Sequence, residues 1–300
     1  MRAIRFGVQI WSSKPVQKIV EQVCFAEELG YDTAWIIDSQ LLAPDIYVKL
    51  TACAYNTKRI TLAAGVTNTV TRNPTVTAGA LASLADLAPG RIRAAISLGG
   101  SSVTTIGVPH AKLAEFRKDV ELIARLLRGE QVYYNDREIK LVWANPEATR
   151  EIPLSVQGHG PKSQQQAGEM GYPQGVAWEV QRLGRVIEQV KTGASKAGRP
   201  PEGIELRWSG QTSISNDWQV IKEQRLSQIA TLIRERFRMY QQDAMRAEDV
   251  PVELELAKQI TEGYQWLEHA SAGASHARRL LDYPDDQWRQ WLKGQFIGTP

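Results

Sequence analysis

The chain has 300 residues, 43% hydrophobic, 23% charged and 8% aromatic, with 23 Gly, 14 Pro, nine Trp and two Cys. That apolar fraction lies just below the usual ~45–50% of globular chains, and no low-complexity tract dilutes it, which excludes disordered, collagenous and coiled-coil classes. The net charge of +3 is too small and too scattered to point to nucleic acid.

Apolar runs such as residues 34–37 fall far short of the ~20 residues of a membrane span. Residues 1–10 carry two Arg but neither an apolar stretch nor a cleavage site, so no secretory signal is read and a cytoplasmic location is expected. Cys24 and Cys53 lack metal or CxxC spacing and are expected as reduced thiols. The length suits two domains or one (β/α)8 barrel of typically about 250 residues. With no linker and no repeat, a single domain over 1–300 is preferred.

Strand-like runs alternate with helical spacing, as expected of βαβ units on a parallel sheet. Residues 5–11 (RFGVQIW) form the first strand, and Val16, Ile19, Val20 and Val23 mark a helix face that stops at Gly30. Strands follow at 33–37 and 60–66, with a helix at 45–55 between them. Asn73-Pro74 opens a helix as N-cap and N1, with Val76, Ala80, Leu84 and Leu87 on its expected buried side. Residues 92–98 make the fourth strand, followed by a helix with Leu113, Phe116, Val120, Ile123 and Leu127 in phase. Residues 133–142 read as a surface excursion, 153–157 as a fifth strand, the region of Ala177 as a weak sixth and 205–213 as a seventh. Beyond that the pattern is helical: Leu226, Ile229, Ile233, Phe237 and Tyr240, then Leu256, Ile260, Tyr264 and Leu267. Arg234, Arg236 and Arg238 read as a solvated basic face, and Trp266, Trp288 and Trp291 as packing among the late helices.

In such a barrel, chemistry gathers where the strands end. Here those ends carry Gln9; Asp38, Ser39 and Gln40; Gly65, Thr67 and Asn68; Ser97 and Gly99 to Ser102; and Gln157, Gly158 and His159. Gly158-His159-Gly160-Pro161-Lys162 joins a strand to a helix start, and its glycines, N1 proline and free N–H groups suit a phosphate, with a plain Gly-rich loop as the alternative. Ser101 and Ser102 are placed to add hydroxyls to the same anion. Gly65-Val66 interrupts a β-branched strand, which suggests a bulge or a close approach to something flat, such as a cofactor ring. Asp38 reads as a hydrogen-bonding or proton-handling carboxylate, with a loop cap as the bland alternative. No HxH or HExxH spacing supports a metal, and no GxSxG supports a serine hydrolase.

These segments together resemble the luciferase-like flavin and deazaflavin oxidoreductases. The resemblance is carried by Asp38-Ser39-Gln40, residues 65–87 (GVTNTVTRNPTVTAGALASLADL), 96–107 (ISLGGSSVTTIG), 126–131 (LLRGEQ), 158–168 (GHGPKSQQQAG) and Gly298-Thr299-Pro300. Within that superfamily the chain is most similar to the 5,10-methylenetetrahydromethanopterin reductase group. The resemblance implies a luciferase-like (β/α)8 TIM-type barrel using coenzyme F420, with FMN as the alternative cofactor of a monooxygenase and a non-catalytic flavin-binding barrel as a third reading. It further implies a small-molecule substrate and a homodimer, while the small scattered charge and the short apolar runs lead to the expectation of no nucleic-acid or membrane partner. The ring would lie by Asp38, Gln9, Asn68, Thr67 and a cis Gly65-Val66 peptide, and the phosphate by Gly99, Gly100 and Ser101 and by Gln157, Gly158, Gly160, Pro161 and Lys162. Asp38, Gln9 and Asn68 are the implied catalytic set. The chain departs from the family pattern at Gln9, where the reductases often carry Glu. It departs again at Thr71-Arg72-Asn73-Pro74, where TRHP is usual, and in the altered AGxxADG segment at 167–175. In relatives one more helix and strand follow a segment like Gly298-Thr299-Pro300, so the barrel is expected to lack its last strand unless an unrecognised strand closes it.

Overall fold

Strand and helix alternate through the first part of the chain: β1 (Gly7–Ile10), α1 (Val16–Glu28), β2 (Thr33–Ile36), α2 (Ile46–Asn56), β3 (Thr61–Asn68), α3 (Pro74–Leu87) and β4 (Ile92–Ser97). Then come α4 (Ser101–Thr104), α5 (Leu113–Leu127), a hairpin of β5 (Val132–Tyr134) and β6 (Arg137–Ile139), and α6 (Pro146–Thr149). They are followed by β7 (Leu154–Gln157), α7 (Pro161–Met170), β8 (Gln174–Ala177), α8 (Leu183–Lys196), β9 (Leu206–Ser209) and β10 (Thr212–Ile214). The remainder is α9 (Trp218–Gln241), α10 (Leu254–Glu262), a 3₁₀ helix at Ser275–Asp282, α11 (Asp285–Trp291) and β11 (Phe296–Gly298). This computed structural model describes residues 4–10, 13–177, 183–241, 246–264, 275–292 and 296–298. Trp11, Trp266, Leu267, Thr299 and Pro300, named above, lie outside them.

The chain divides into two compact units, 1–176 with 182–208 and 177–181 with 209–300. The first holds a seven-stranded sheet in the order β1-β2-β3-β4-β7-β8-β9, with parallel pairing. Register runs from Gln9 to Trp35 to Ala63, and at the far strand ends from Asn68 to Ser97 to Gln157. Arg207 on β9 stacks over Trp35 on β2 at 3.5 Å, which four intervening strands in a flat sheet would forbid, so the sheet curls. Among the described residues β1 and β9 are its edges, as expected of a barrel short of its last strand. Its core joins the helix-facing side of the strands (Ala34, Ile36, Leu62, Ala64, Ala94, Ile96) to Ile19, Val23, Leu50, Leu81, Val120 and Ile123 of the helices.

Local chemistry explains most element ends. Tyr31 N–H reaches Ala26 O and Gly30 N–H reaches Glu27 O with Gly30 at φ +83°, a Schellman stop for α1. Asp45 caps α2 by accepting from the N–H groups of Tyr47 and Val48, and Asn73 caps α3 ahead of Pro74, as read from sequence. The α3 face is corrected: Thr77, Ala78, Leu81, Leu84 and Ala85 are buried, whereas Val76 is 58% and Leu87 40% exposed. An Ala-rich helix offers two apolar stripes of similar strength, and its neighbours bury the one beside that expected from sequence. The surface excursion is a β hairpin whose turn residues Asn135 and Asp136 both have positive φ, a type I′ geometry. The expected seventh strand breaks at Gly210-Gln211 into β9 and β10.

In the second unit, β10 pairs in parallel with β11, and α9, α10, the 3₁₀ helix and α11 enclose Ile229, Ile233, Phe237, Ile260, Leu280 and Trp288. Trp288 and Trp291 meet edge to face at 5.4 Å, as packing rather than a ligand cage. The solvated basic face is corrected at Arg234, which is buried with its guanidinium 4.3 Å over the Tyr264 ring. No helix among the described residues is long and apolar enough to cross a membrane. Cys24 and Cys53 are free thiols, and burial pushes that of Cys53 up to about 12.

Candidate active site at the strand ends

The C-terminal ends of β2, β3 and β4 carry one connected polar network. Asp38 is buried; its Oδ2 accepts from Thr67 Oγ1 at 2.8 Å and from Arg72 Nη1 at 2.5 Å. Arg72 also donates to Asp45 Oδ2 at 2.6 Å and lies 5.2 Å from the centre of the Tyr47 ring. Burial opposes the charge on Arg72, but the two carboxylates outweigh it and hold the guanidinium above its ordinary pKa. Asp38 therefore does not stand as a bare carboxylate in an apolar pocket; it anchors an ion pair that ties β2, β3 and the α2 cap together. Ser39 Oγ lies 2.9 Å from Ser101 Oγ, and Asn68 Nδ2 donates to Ser102 Oγ at 3.2 Å. Asn68 Oδ1 accepts from the N–H groups of Val70 and Thr71. Its amide thus holds the 68–71 loop against α4.

Beneath this network the Gly65–Val66 peptide is cis, and the β3–β4 register slips between Gly65 and Thr67, so the expected bulge is present. Val66 O accepts from Asp38 N–H at 3.3 Å, and Gln9 Nε2 reaches Gly65 O at 3.4 Å. The flat neighbour of Gly65 within the protein is the indole of Trp35.

A second cluster stands at the end of β7. Gly160 is the N-cap of α7 and Pro161 its first residue, with Lys162 exposed beside it. Ser163 Oγ donates to Gly160 O at 2.8 Å and packs against Gly158. The loop is also tied from below: Gln164 Nε2 donates to His159 O at 3.1 Å and Gln174 Nε2 to Gly158 O at 3.1 Å. Ser97 and Gln157 are register partners, so the loops at 99–102 and 158–162 leave adjacent strands side by side.

Two residues of this site carry little signal in the sequence. Arg72 was visible only as part of a motif variant. Lys49 lies fully buried in α2, where its Nζ donates to Ile37 O at 2.8 Å, directly behind Asp38. Its helical spacing gives no hint of this, because an apolar residue would occupy the same position. At the opposite end of the sheet a cleft of about 430 Å³ is lined by Arg5, Glu27, Asp32 and Arg59. Glu27 is consumed there by the backbone N–H groups of Lys58, Arg59 and Ile60, which makes that end a structural tie.

The model of the luciferase-like monooxygenase family matches residues 3–300. The chain belongs to the luciferase-like monooxygenase family. A 5,10-methylenetetrahydromethanopterin reductase of Methanolobus tindarius is 32% identical over 220 residues, which cover 71% of this chain and 66% of the relative. The chain thus spans just under two thirds of that relative's length. Among solved structures, the coenzyme F420 dependent tetrahydromethanopterin reductase of Methanopyrus kandleri superposes with a TM-score of 0.72 at 21% identity, over 99% of this chain and 92% of that one. An F420-dependent secondary alcohol dehydrogenase in complex with an F420-acetone adduct gives 0.69 at 16% identity, over 98% and 93%. Both support the luciferase-like barrel fold.

Proposed function

We propose that this luciferase-like chain is an oxidoreductase that transfers hydride between coenzyme F420 and a small organic substrate, with 1–300 acting as one barrel domain. The observation that carries this reading is the pairing of Ser97 with Gln157, which sets the serine loop at 99–102 beside the glycine loop at 158–162. Two loops of small residues, one ending in the N-terminus of α7, form a cradle in which a phosphate would meet hydroxyl and N–H donors. The F420-dependent relatives favour the deazaflavin over FMN.

The residues present fit such a group. Gly99, Gly100, Ser101, Gly158, Gly160, Pro161 and Lys162 would hold its phosphate, and the bulge at Gly65, Val66 and Thr67 with Gln9 would border its ring. When bound, the deazaflavin supplies the hydride chemistry at its C5 carbon. The protein's part is placement: Asp38 and Arg72 fix the bulge and the loops around it, Asn68 holds α4 in place, and Gln9 and Gln157 offer amide groups to ring or substrate.

Fluorescence titration of the purified chain with coenzyme F420 and with FMN tests this reading. Saturable binding of F420, tighter than FMN, is expected. Binding of FMN alone would favour a monooxygenase, and binding of neither a non-catalytic barrel; either result overturns the assignment.

A further inference from the structure

The inner face of the sheet carries a stack of which the reaction above uses only Gln157. The Arg207 guanidinium lies 3.5 Å over the Trp35 ring, and its Nη2 donates to Gln157 Oε1 at 3.3 Å. Three strands are cut back to glycine around this stack. A Cβ on Gly7 would stand 2.9 Å from Trp35 Nε1, and one on Gly65 2.5 Å from Trp35 Cε3. A Cβ on Gly175 would stand 2.8 Å from Gln157 Oε1 and 3.2 Å from Arg207 Nη2. The backbone has therefore been shaped to take an indole, a guanidinium and an amide where barrel interiors usually hold branched apolar side chains.

The charge is out of balance. Among the described residues Arg207 Nη1 is buried without a hydrogen-bond partner and no carboxylate forms an ion pair with Arg207. Of the charges that reach it, Arg93 on β4 is a second cation and Glu205 the opposing anion. Burial, reinforced by Arg93, draws the guanidinium pKa down to about 10. A buried donor left open beside a like charge is costly until an acceptor with a negative charge arrives. The planar guanidinium fork pairs bidentately with carboxylates and phosphates, and the proposed cofactor's phosphate is already placed at the 99–102 and 158–162 loops, which leaves a carboxylate for Arg207. Gln157 belongs both to this stack and to the strand-end site, so an anion paired with Arg207 belongs to a molecule lying over the same mouth.

We propose that Arg207, held flat by Trp35 and Gln157 and backed by Arg93, receives a carboxylate of the organic substrate and selects for carboxylate-bearing substrates. This rests on the oxidoreductase reading of the site, which the cofactor titration tests separately.

The experiment compares binding of succinate and of its neutral diamide, succinamide, to the full chain by calorimetry at fixed ionic strength. Succinate is expected to bind saturably and at least about tenfold more tightly than succinamide. Arg207→Gln is expected to lose about tenfold in succinate affinity, Arg207→Lys to retain part of it, and Arg93→Gln to lose a smaller factor. Equal binding of succinate and succinamide, no binding of either, or wild-type succinate affinity in Arg207→Gln overturns the proposal. If Arg207→Gln does not fold, the succinamide contrast in the wild type and the Arg93→Gln variant decide. Unchanged F420 binding alongside a failed succinate test removes this inference alone; lost F420 binding with a positive succinate test removes the oxidoreductase reading alone.

Discussion

Arg72 is held between Asp38 and Asp45, and its side chain is 14% exposed against 4% for that of Asp38. Removing one partner of so enclosed a pair leaves the other charge without compensation, at a cost of about 3 kcal/mol. Arg72→Gln is therefore expected to lower the urea midpoint markedly. Asp38→Asn should cost less, because the amide oxygen still accepts from Thr67. Equal effects would show that the pair is not the tie between β2 and β3. Lys49 makes stability depend on pH. Burial pulls its ammonium from 10.5 down to about 8, against the attraction of Asp38 and Asp45. Between those values the unfolded chain binds the proton that the folded one has released, so stability rises with pH across that window, by up to about 3 kcal/mol. Lys49→Met removes this slope. Denaturation of both proteins at pH 7, 8, 9 and 10 should show the wild type gaining on the variant above pH 8, and parallel curves would refute it.

At the scale of elements, α7 and α8 pack backbone against backbone. A Cβ on Gly193 would collide with the Gln165 carbonyl, and one on Gly168 with that of Val190. Gly193→Ala is expected to destabilise by about 1–3 kcal/mol through overpacking. Gly184→Ala in the same helix, with nothing within 4 Å of its Cβ, should be tolerated, and thermal midpoints of the two variants test the contrast. Gly168 belongs to the segment at 167–175 that departs from the family pattern, yet β8 forms and α7 keeps its close packing. What the sequence made legible at this scale were elements with an unambiguous local signal: the Asn73-Pro74 start of α3, the Gly30 stop of α1 and the 3.6 period of α5. What it hid were choices settled by neighbours. The buried stripe of α3 depends on which side meets β3 and β4. The break between β9 and β10 depends on where each finds a partner strand. Arg234 is buried because Tyr264, thirty residues away, covers it.

Across the whole molecule, the strand-end residues chosen from sequence lie together because parallel strands bring all their C-terminal ends to one rim, which makes alternation a guide to the site. The partners that give those residues their state come from elsewhere in the chain. Arg72 reaches Asp38 from the loop after β3, and Arg207 reaches Trp35 only because the sheet curls, a property no single segment encodes. The same division of the chain separates two cores. Every residue proposed to hold the cofactor lies in the unit formed by 1–176 and 182–208, whereas Trp288 is fully buried in the other, its Nε1 donating to Leu280 O at 2.9 Å. Trp288→Ala is expected to cost about 3–5 kcal/mol by emptying that second core. Because the cofactor residues belong to the other core, F420 affinity measured well below the unfolding transition should stay within about twofold of wild type. Near-UV circular dichroism would follow the loss of aromatic packing while fluorescence titration follows the cofactor. A fall in affinity as large as the fall in stability would show that the deazaflavin site draws on both units and that its residues extend beyond the strand-end set.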